Sequence, residues 1–242
     1  MFLDFHAHIL PEVDDGAKDI EESLKLLEIS YEQGITAIIA TPHFYAHEQS
    51  IEDFKQEIES ALNLINENKK DRKIPKIYVG SEVFYFSNIG KSSGIKDLTI
   101  GNTNYLLLEL PYGTISSDIL KDIENLAEMQ GLIPVIAHIE RYSKHHGYKK
   151  LLKLVKSGVC LAQINAASFL QTGYKKAVCN LISNGYITFI GSDAHSVEFR
   201  PPLIKEAMES ILQVFGSEAF RKLESNANHF MKILDNSFES EV

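Results

Sequence analysis

Seven short apolar runs, several of them β-branched, punctuate the chain: FLDF (2–5), TAIIA (36–40), KIYVG (76–80), YLLLEL (105–110), IPVIA (133–137), VCLAQI (159–164) and ITFIG (187–191). Each has the length of a strand and is apolar on both faces, the pattern of a parallel sheet buried on both sides. Between most of them the period changes to three and four residues, which marks amphipathic helices. Residues 19–34 carry acidic residues in the first turn and end at Gly34. Residues 50–68 open on Ser50 and Asp53, a capping-box-like pair. Residues 116–131, 148–158, 174–185 and 202–216 repeat the theme. Residues 217–234 read as a terminal helix and residues 235–242 as a frayed acidic tail. The least regular stretch, residues 84–104, is expected to form an excursion on the rim.

Alternating strands and helices mean parallel pairing with helices on the outside. No Gly-x-Gly-x-x-Gly follows the first strand, which weakens a dinucleotide-binding arrangement. The fold class expected is therefore α/β, a distorted TIM-like (β/α)7 barrel. With no internal repeat and no linker, residues 1–242 are read as a single domain.

The polar residues fall where the apolar runs stop. The first run ends in His6 and His8, which share one face of a strand because alternate side chains point the same way. The second ends in His43, the third in Glu82 and the fourth in Glu109. The fifth leads to His138 and Arg141, and the seventh to Asp193 and His195. Six of seven strands thus deliver a His, Asp or Glu at their C-terminal ends. In a β/α barrel these ends converge on one mouth, where active sites of this architecture lie. Asp14 and Asp15 follow the first strand. One can cap the next helix while the other turns into the mouth, and Asp15 is preferred as the ligand.

Imidazoles and carboxylates without a thiolate suit Mn, Fe or Zn in an open catalytic site. Nine candidate ligands exceed the need of one ion, so two or three divalent ions sharing bridging carboxylates are expected. Such clusters lower the pKa of water and stabilise in-line displacement at phosphorus. Arg141 and Arg200, just beyond candidate ligands, could fork onto phosphate oxygens, with a rim salt bridge as the alternative.

The formal net charge of −9 argues against nonspecific binding to nucleic acid or anionic membrane. It does not exclude an anionic substrate, since bound cations reverse the local field. No signal peptide or spanning segment is apparent, so a soluble, cytoplasmic protein is expected, its oligomeric state left open. Cys160 and Cys179 stand in no metal-binding spacing and read as reduced, small, buried apolar residues.

The motifs HAHILPEVDDGA, TPH, GSEV, LELP, AHIERY and GSDAHSVEFRPP resemble those of the polymerase and histidinol phosphatase (PHP) superfamily. Within it, they are most similar to the bacterial metal-dependent protein-tyrosine phosphatases of capsule and exopolysaccharide operons, from Met1 to about Leu212. QINAASF and RPPLIKEA also fit that branch. The resemblance implies one ion among His6, His8, Glu82 and Asp193, with Glu82 bridging to a second. It implies Glu109 and His138 at the second ion, and Asp15, His43 and His195 at the third. Arg141 and Arg200 match the phosphate-binding arginines. The implied substrate is a phosphotyrosine protein, such as a bacterial tyrosine kinase. Alternatives are a small-molecule phosphatase such as histidinol phosphatase, a metal-dependent amidohydrolase, or a regulatory module with structural metals.

Overall fold

The computed structural model describes residues 2–170 and 172–239. It runs β1 (Phe2–Ala7), α1 (Ile20–Glu32), β2 (Ile35–Ala40), β3 (His43–Phe44), α2 (Ile51–Asn68), β4 (Lys76–Val79), β5 (Glu82–Phe84) and β6 (Tyr105–Glu109). There follow α3 (Ser117–Glu128), β7 (Ile133–Ile136), α4 (Tyr148–Ser157), β8 (Leu161–Asn165), α5 (Ala166–Leu170), α6 (Thr172–Ser183), β9 (Phe189–Gly191) and α7 (Ile204–Glu239). The first two helices are capped as their sequences ask: Asp19 accepts from the Glu22 amide, and Ser50 from the Asp53 amide.

Every ladder is parallel. β2 and β3 are one strand line interrupted at Thr41–Pro42, and β4 and β5 one line interrupted at Gly80–Ser81. Across the breaks the Gly80 amide donates to Ala40 O (2.9 Å) and the Glu82 amide to Pro42 O (3.0 Å). That reduces nine strands to the seven read from the apolar runs. The last line meets the first: Asp193 N donates to His6 O (2.8 Å) and His8 N to Ala194 O (2.9 Å). The result is a distorted TIM-like barrel.

Two cores follow from the period of two along each strand. Outward residues such as Ile38, Leu106, Leu108 and Ile136 pack under the helices. Inward residues, among them Phe5, Ile39, Tyr78, Leu107 and Phe189, fill the barrel. Phe5 lies flat on Phe189, with centroids 3.9 Å apart and planes at 7°.

Two expectations need correction. The tail expected to fray from Asp235 is helical as far as Glu239, within α7, which departs from helical geometry only at Gly216 (φ 78°). This helix closes the base of the barrel, where Phe230 and Leu234 join the interior core. Asp235 accepts from Tyr78 Oη (2.5 Å) and Lys76 Nζ (2.7 Å); residues 240–242 lie outside the described residues. Residues 84–104 are not a rim excursion but the return crossover from β5 to β6. Short 3-10 turns (Ile89–Lys91, Ile95–Leu98, Ile100–Asn102) replace the helix of that unit, burying Ile89, Ile95, Leu98 and Ile100.

Candidate metal centre

β1 pairs with β2 at Asp4↔Ile38 and next at Ala7↔Ala40, three steps on one strand against two on the other. This is a β-bulge, and one inserted residue reverses the facing of everything after it. Leu3 and Phe5 point into the barrel before the bulge, and Ala7 and Ile9 belong to the outer core after it. His6 and His8 therefore face inward directly above Phe5. The bulge is pinned by a buried carboxylate: Asp4 Oδ1 accepts from His6 N (3.3 Å) and Ser192 N (2.7 Å). Burial raises the pKa of Asp4 to about 6. Other strands turn their ligands inward differently. His138 (φ 32°) and Asp193 (φ 53°) sit in the left-handed region, a conformation costly for residues with a Cβ and often found at functional sites. Gly191 leaves the space His6 needs, since a Cβ there would come within 2.5 Å of His6 Cβ.

The donor atoms meet at short range. His6 Nε2 and His8 Nε2 are 3.0 Å apart. Glu82 Oε2 lies 3.2 and 3.3 Å from them, and Asp193 Oδ1 lies 3.7 and 3.5 Å away. Ligands about 2.1 Å from one ion stand roughly 3.0 Å apart at right angles and about 3.4 Å apart in a tetrahedron. This quartet has such edges. His43, His195 and Asp15 form a neighbouring group with His8: Asp15 Oδ1 is 3.3 Å from His195 Nε2 and 3.6 Å from His43 Nε2. His43 Nδ1 faces Glu82 Oε2 at 3.1 Å, and with Glu109 these residues make a third group. His138 Nε2 stands 2.9 Å from Glu82 Oε1 and 3.5 Å from Glu109 Oε1. All nine candidate ligands are thus brought to one mouth. Glu82 lies within 3.3 Å of four of the others, His6, His8, His43 and His138, as a bridging carboxylate would.

The buried atoms Glu82 Oε2 and His43 Nδ1 lack an aligned hydrogen bond although other donor atoms surround them. Donor atoms that converge without aligned hydrogen bonds fit cations. The electrostatics agree. Burial alone would lower the pKa of His8, but Asp14 and Glu82 outweigh it and push it up to about 10. His6 is raised in the same sense by Glu82 and Asp193 against its burial. Glu109 rises to about 7 through burial and the charge of Glu82. His6, His8 and Glu109 thus hold positive charge or protons when no ion is bound, whereas burial lowers His43 and His138 toward the neutral form that binds metal.

Supporting residues fix the rings. Asp14 Oδ2 accepts from His8 Nδ1 (2.6 Å) and from His43 N (3.0 Å), so Asp14 orients a ligand while Asp15 reaches the mouth. Neither caps α1, a task taken by Asp19. Gln163 Oε1 accepts from His138 N (2.7 Å) and stands 3.3 Å from His6 Nδ1, leaving His6 Nε2 for the centre. Gln163 Nε2 donates to Asn165 Oδ1 (2.9 Å), whose Nδ2 donates to Asp193 Oδ2 (2.5 Å). The one strand that ends in no His, Asp or Glu thus contributes two amides. Sequence reasoning missed these residues and Asp4; the polar–apolar–polar QIN was the available signal.

Arg141 Nη2 and Arg200 Nη2 each lie 2.6 Å from Asp193 Oδ2. These ion pairs reach a candidate ligand rather than the rim. Arg141 is 23% and Arg200 40% exposed, so both retain donors toward solvent. The cysteines are elsewhere: Cys160 is buried, its thiol pushed up to about 12, whereas Cys179 is only half-buried.

A family model described as "Capsular polysaccharide synthesis, CpsB/CapC" matches residues 2–233. The chain belongs to the CpsB/CapC family. Tyrosine-protein phosphatase CpsB of Streptococcus agalactiae serotype III is 32% identical over 231 residues, covering 91% of this chain and 94% of the relative. Tyrosine-protein phosphatase YwqE of Bacillus subtilis is 30% identical over 242 residues, 95% and 91% of the two chains. A solved structure from work on YwqE and Streptococcus pneumoniae CpsB, described as "unique metal-dependent tyrosine phosphatases", superposes with a TM-score of 0.81. It is 29% identical and covers 94% of this CpsB/CapC chain and 93% of the other. These are the proteins that the motifs resemble. No helix among the described residues of this family member is long and apolar enough to cross a membrane.

Proposed function

We propose that this chain is a metal-dependent tyrosine-protein phosphatase that acts in the cytoplasm and counteracts a bacterial tyrosine kinase of capsule or exopolysaccharide synthesis. One observation carries the reading. Asp193 turns one oxygen toward His6 and His8 and holds two guanidinium groups on the other. An anion fork beside a cation cluster is what a phosphoryl group needs.

The nine ligands His6, His8, Asp15, His43, Glu82, Glu109, His138, Asp193 and His195 would hold two or three divalent ions, with Mn preferred over Fe or Zn. Such ions supply Lewis-acid polarisation of the phosphoryl oxygens and lower the pKa of water at neutral pH. The chain's own groups do the positioning. Arg141 and Arg200 orient the phosphate with their free donors and oppose the charge that grows on the transferring group. Asp193 holds both arginines in reach, and Asn165 holds Asp193. A phenolate leaving group, with a pKa of about 10, needs less protonation than an alkoxide, so no general acid is assigned.

Exposure favours a protein substrate over a small one. The Asp15 side chain is 70% exposed, and Tyr112 and Phe199, three residues after Glu109 and one before Arg200, are 68% and 86% exposed. An open mouth of this kind admits a tyrosine side chain presented by a protein. The test is a panel of phosphotyrosine peptides, phosphoserine peptides and histidinol phosphate, each with and without Mn²⁺. Turnover of phosphotyrosine peptides at least tenfold above the rest, and dependent on the metal, is expected. Faster turnover of histidinol phosphate, or no hydrolysis at all, would overturn the reading.

A further inference from the structure

The charge of this chain is distributed very unevenly. Between Glu140 and Asp193 there is no acidic residue, while eight Lys and Arg occur. The whole chain is −9 and this stretch +8, which leaves −17 for the remainder. The stretch folds into α4, β8, α5 and α6, on one side of the barrel. Of its eight cations, Arg141 is committed to Asp193 and Lys175 lies over the Phe169 ring. The other six, Lys144, Lys149, Lys150, Lys153, Lys156 and Lys176, are exposed, and no ion pair to them occurs among the described residues.

This basic face is not flat. α4 and α6 enclose a groove of about 380 Å³ whose apolar lining includes Tyr148, Leu152, Leu181 and Tyr186. Lys144 and Lys176 stand on its edges. Its lining includes Ser143 and Lys144, two and three residues beyond Arg141, whose guanidinium pairs with Asp193. The lining continues to Asn184 and Tyr186, in the connection between α6 and β9. A concave, partly apolar channel between two helices matches an extended chain. A bilayer surface would instead meet protruding apolar residues.

We propose that the α4–α6 groove is a docking site for an acidic peptide segment of the phosphoprotein substrate, flanking the phosphotyrosine whose phosphate enters the mouth. The proposal rests on the phosphatase reading and adds where the rest of the substrate lies. Charge complementarity identifies the occupant: this stretch carries +8 against a net −17 for the remainder, so an acidic chain is drawn to this face in preference to the rest of the molecule. Unpaired lysines at its edges attract one, and the apolar floor receives its aromatic or aliphatic side chains.

The test uses the metal-loaded protein and the charge-reversed pair Lys144→Glu/Lys176→Glu, with Lys144→Gln/Lys176→Gln as a milder variant and melting curves for both. Kinetics compare p-nitrophenyl phosphate, a phosphotyrosine peptide with neutral flanks and one with Glu-rich flanks. The pair should lose at least tenfold in kcat/KM on the Glu-rich peptide, mostly through KM, and less than twofold on the other two. The Gln pair should lose an intermediate amount. In wild type, the preference for acidic flanks should fade as salt is raised from 50 to 500 mM. Binding of the unphosphorylated Glu-rich peptide, followed by fluorescence anisotropy, should weaken by a similar factor in both variants. This arm requires no turnover, so a protein that binds the peptide but hydrolyses nothing refutes the phosphatase reading and leaves the docking site standing. Equal losses on all three substrates, or no loss in either variant, would overturn the groove. So would lysine-dependent sedimentation with phosphatidylserine vesicles accompanied by unchanged peptide kinetics, because the face would then serve a membrane.

Discussion

In the lower half of the barrel Phe5 stacks on Phe189, and both rings pack against Phe230 from the terminal helix. One residue further along the first strand, His6 sits among Glu82, Asp193 and His8, all of them buried. The lower layer gains free energy from removing apolar surface from water. The upper layer loses it, because ionised groups taken out of water are stable only when paired or bound to cations. The contrast shows how a small barrel tolerates its site: the apolar layer and the terminal helix keep the strand ends in place, and the mutual repulsion of the donors is left for ions to relieve.

The largest test of this contrast is metal removal. Exhaustive chelation should abolish turnover, by more than about a thousandfold, while the lower layer keeps the chain folded. Replacement of Cys160 and Cys179 by Ala should leave metal-loaded activity near wild type, since neither thiol is at the mouth. Activity that survives with metal content confirmed near zero would sink the role assigned to the upper layer.

Next in size is Phe230→Ala, which empties part of the barrel base without touching a ligand. Loss of a large buried aromatic costs about 3–5 kcal/mol, on the order of 10 °C in melting temperature for a chain of this length. Below the transition, metal stoichiometry and kcat should hold. If occupancy falls along with stability, the two layers are not separable.

These layers were unequally legible in the sequence. The candidate ligands stood out because His43, Glu82 and Glu109 each end a run that is otherwise apolar. The strand count survived for the same reason, although Pro42 and Ser81 break two of the strands. The bulge in β1 was hidden, since it depends on a bond from Ser192, 188 residues away from Asp4. QINAASF reads as family-like, but Gln163 and Asn165 show no role there because neutral amides inside VCLAQIN resemble ordinary strand residues. Asp235 read as tail because its partner Tyr78 is 157 residues distant. Local pattern reveals which residues end a strand; it does not reveal which distant amide or carboxylate holds them still.

A smaller effect is expected at those holding residues. Gln163→Leu keeps volume and removes the carbonyl that faces His6 Nδ1 and accepts from His138 N. Loss of such a partner typically weakens metal affinity by about 10–100-fold. Titration of the chelated variant with Mn²⁺ should show this weakening, with kcat recovering at saturating metal. Wild-type affinity would mean that the amides merely fill space.

The smallest expected effect is on stability against pH, and its sign separates the layers most cleanly. In the chelated protein His8 is raised from 6.5 to about 10 by Asp14 and Glu82 against its burial, and Glu109 from 4.5 to about 7 by burial and Glu82. A group whose folded pKa is raised contributes stability that is complete below its unfolded value and is lost as pH climbs through the folded one. The His8 contribution therefore fades from pH 6.5 toward 10, and that of Glu109 from 4.5 toward 7. Asp15, lowered to about 2 chiefly by its bond with His195, titrates too low to offset them, and His43 and His138, lowered by burial, oppose them only below about pH 6.5. With ions bound the sign reverses, because loading requires deprotonated donors and strengthens with pH. Between pH 6 and 9 the melting temperature of chelated protein should fall relative to metal-loaded protein, so that the gap widens by on the order of 5 °C. The apolar layer has no titrating group in this range, so Phe230→Ala should lower both curves by the same amount at every pH. A gap that stays constant or narrows would show that the donor cluster is not what binds the ions.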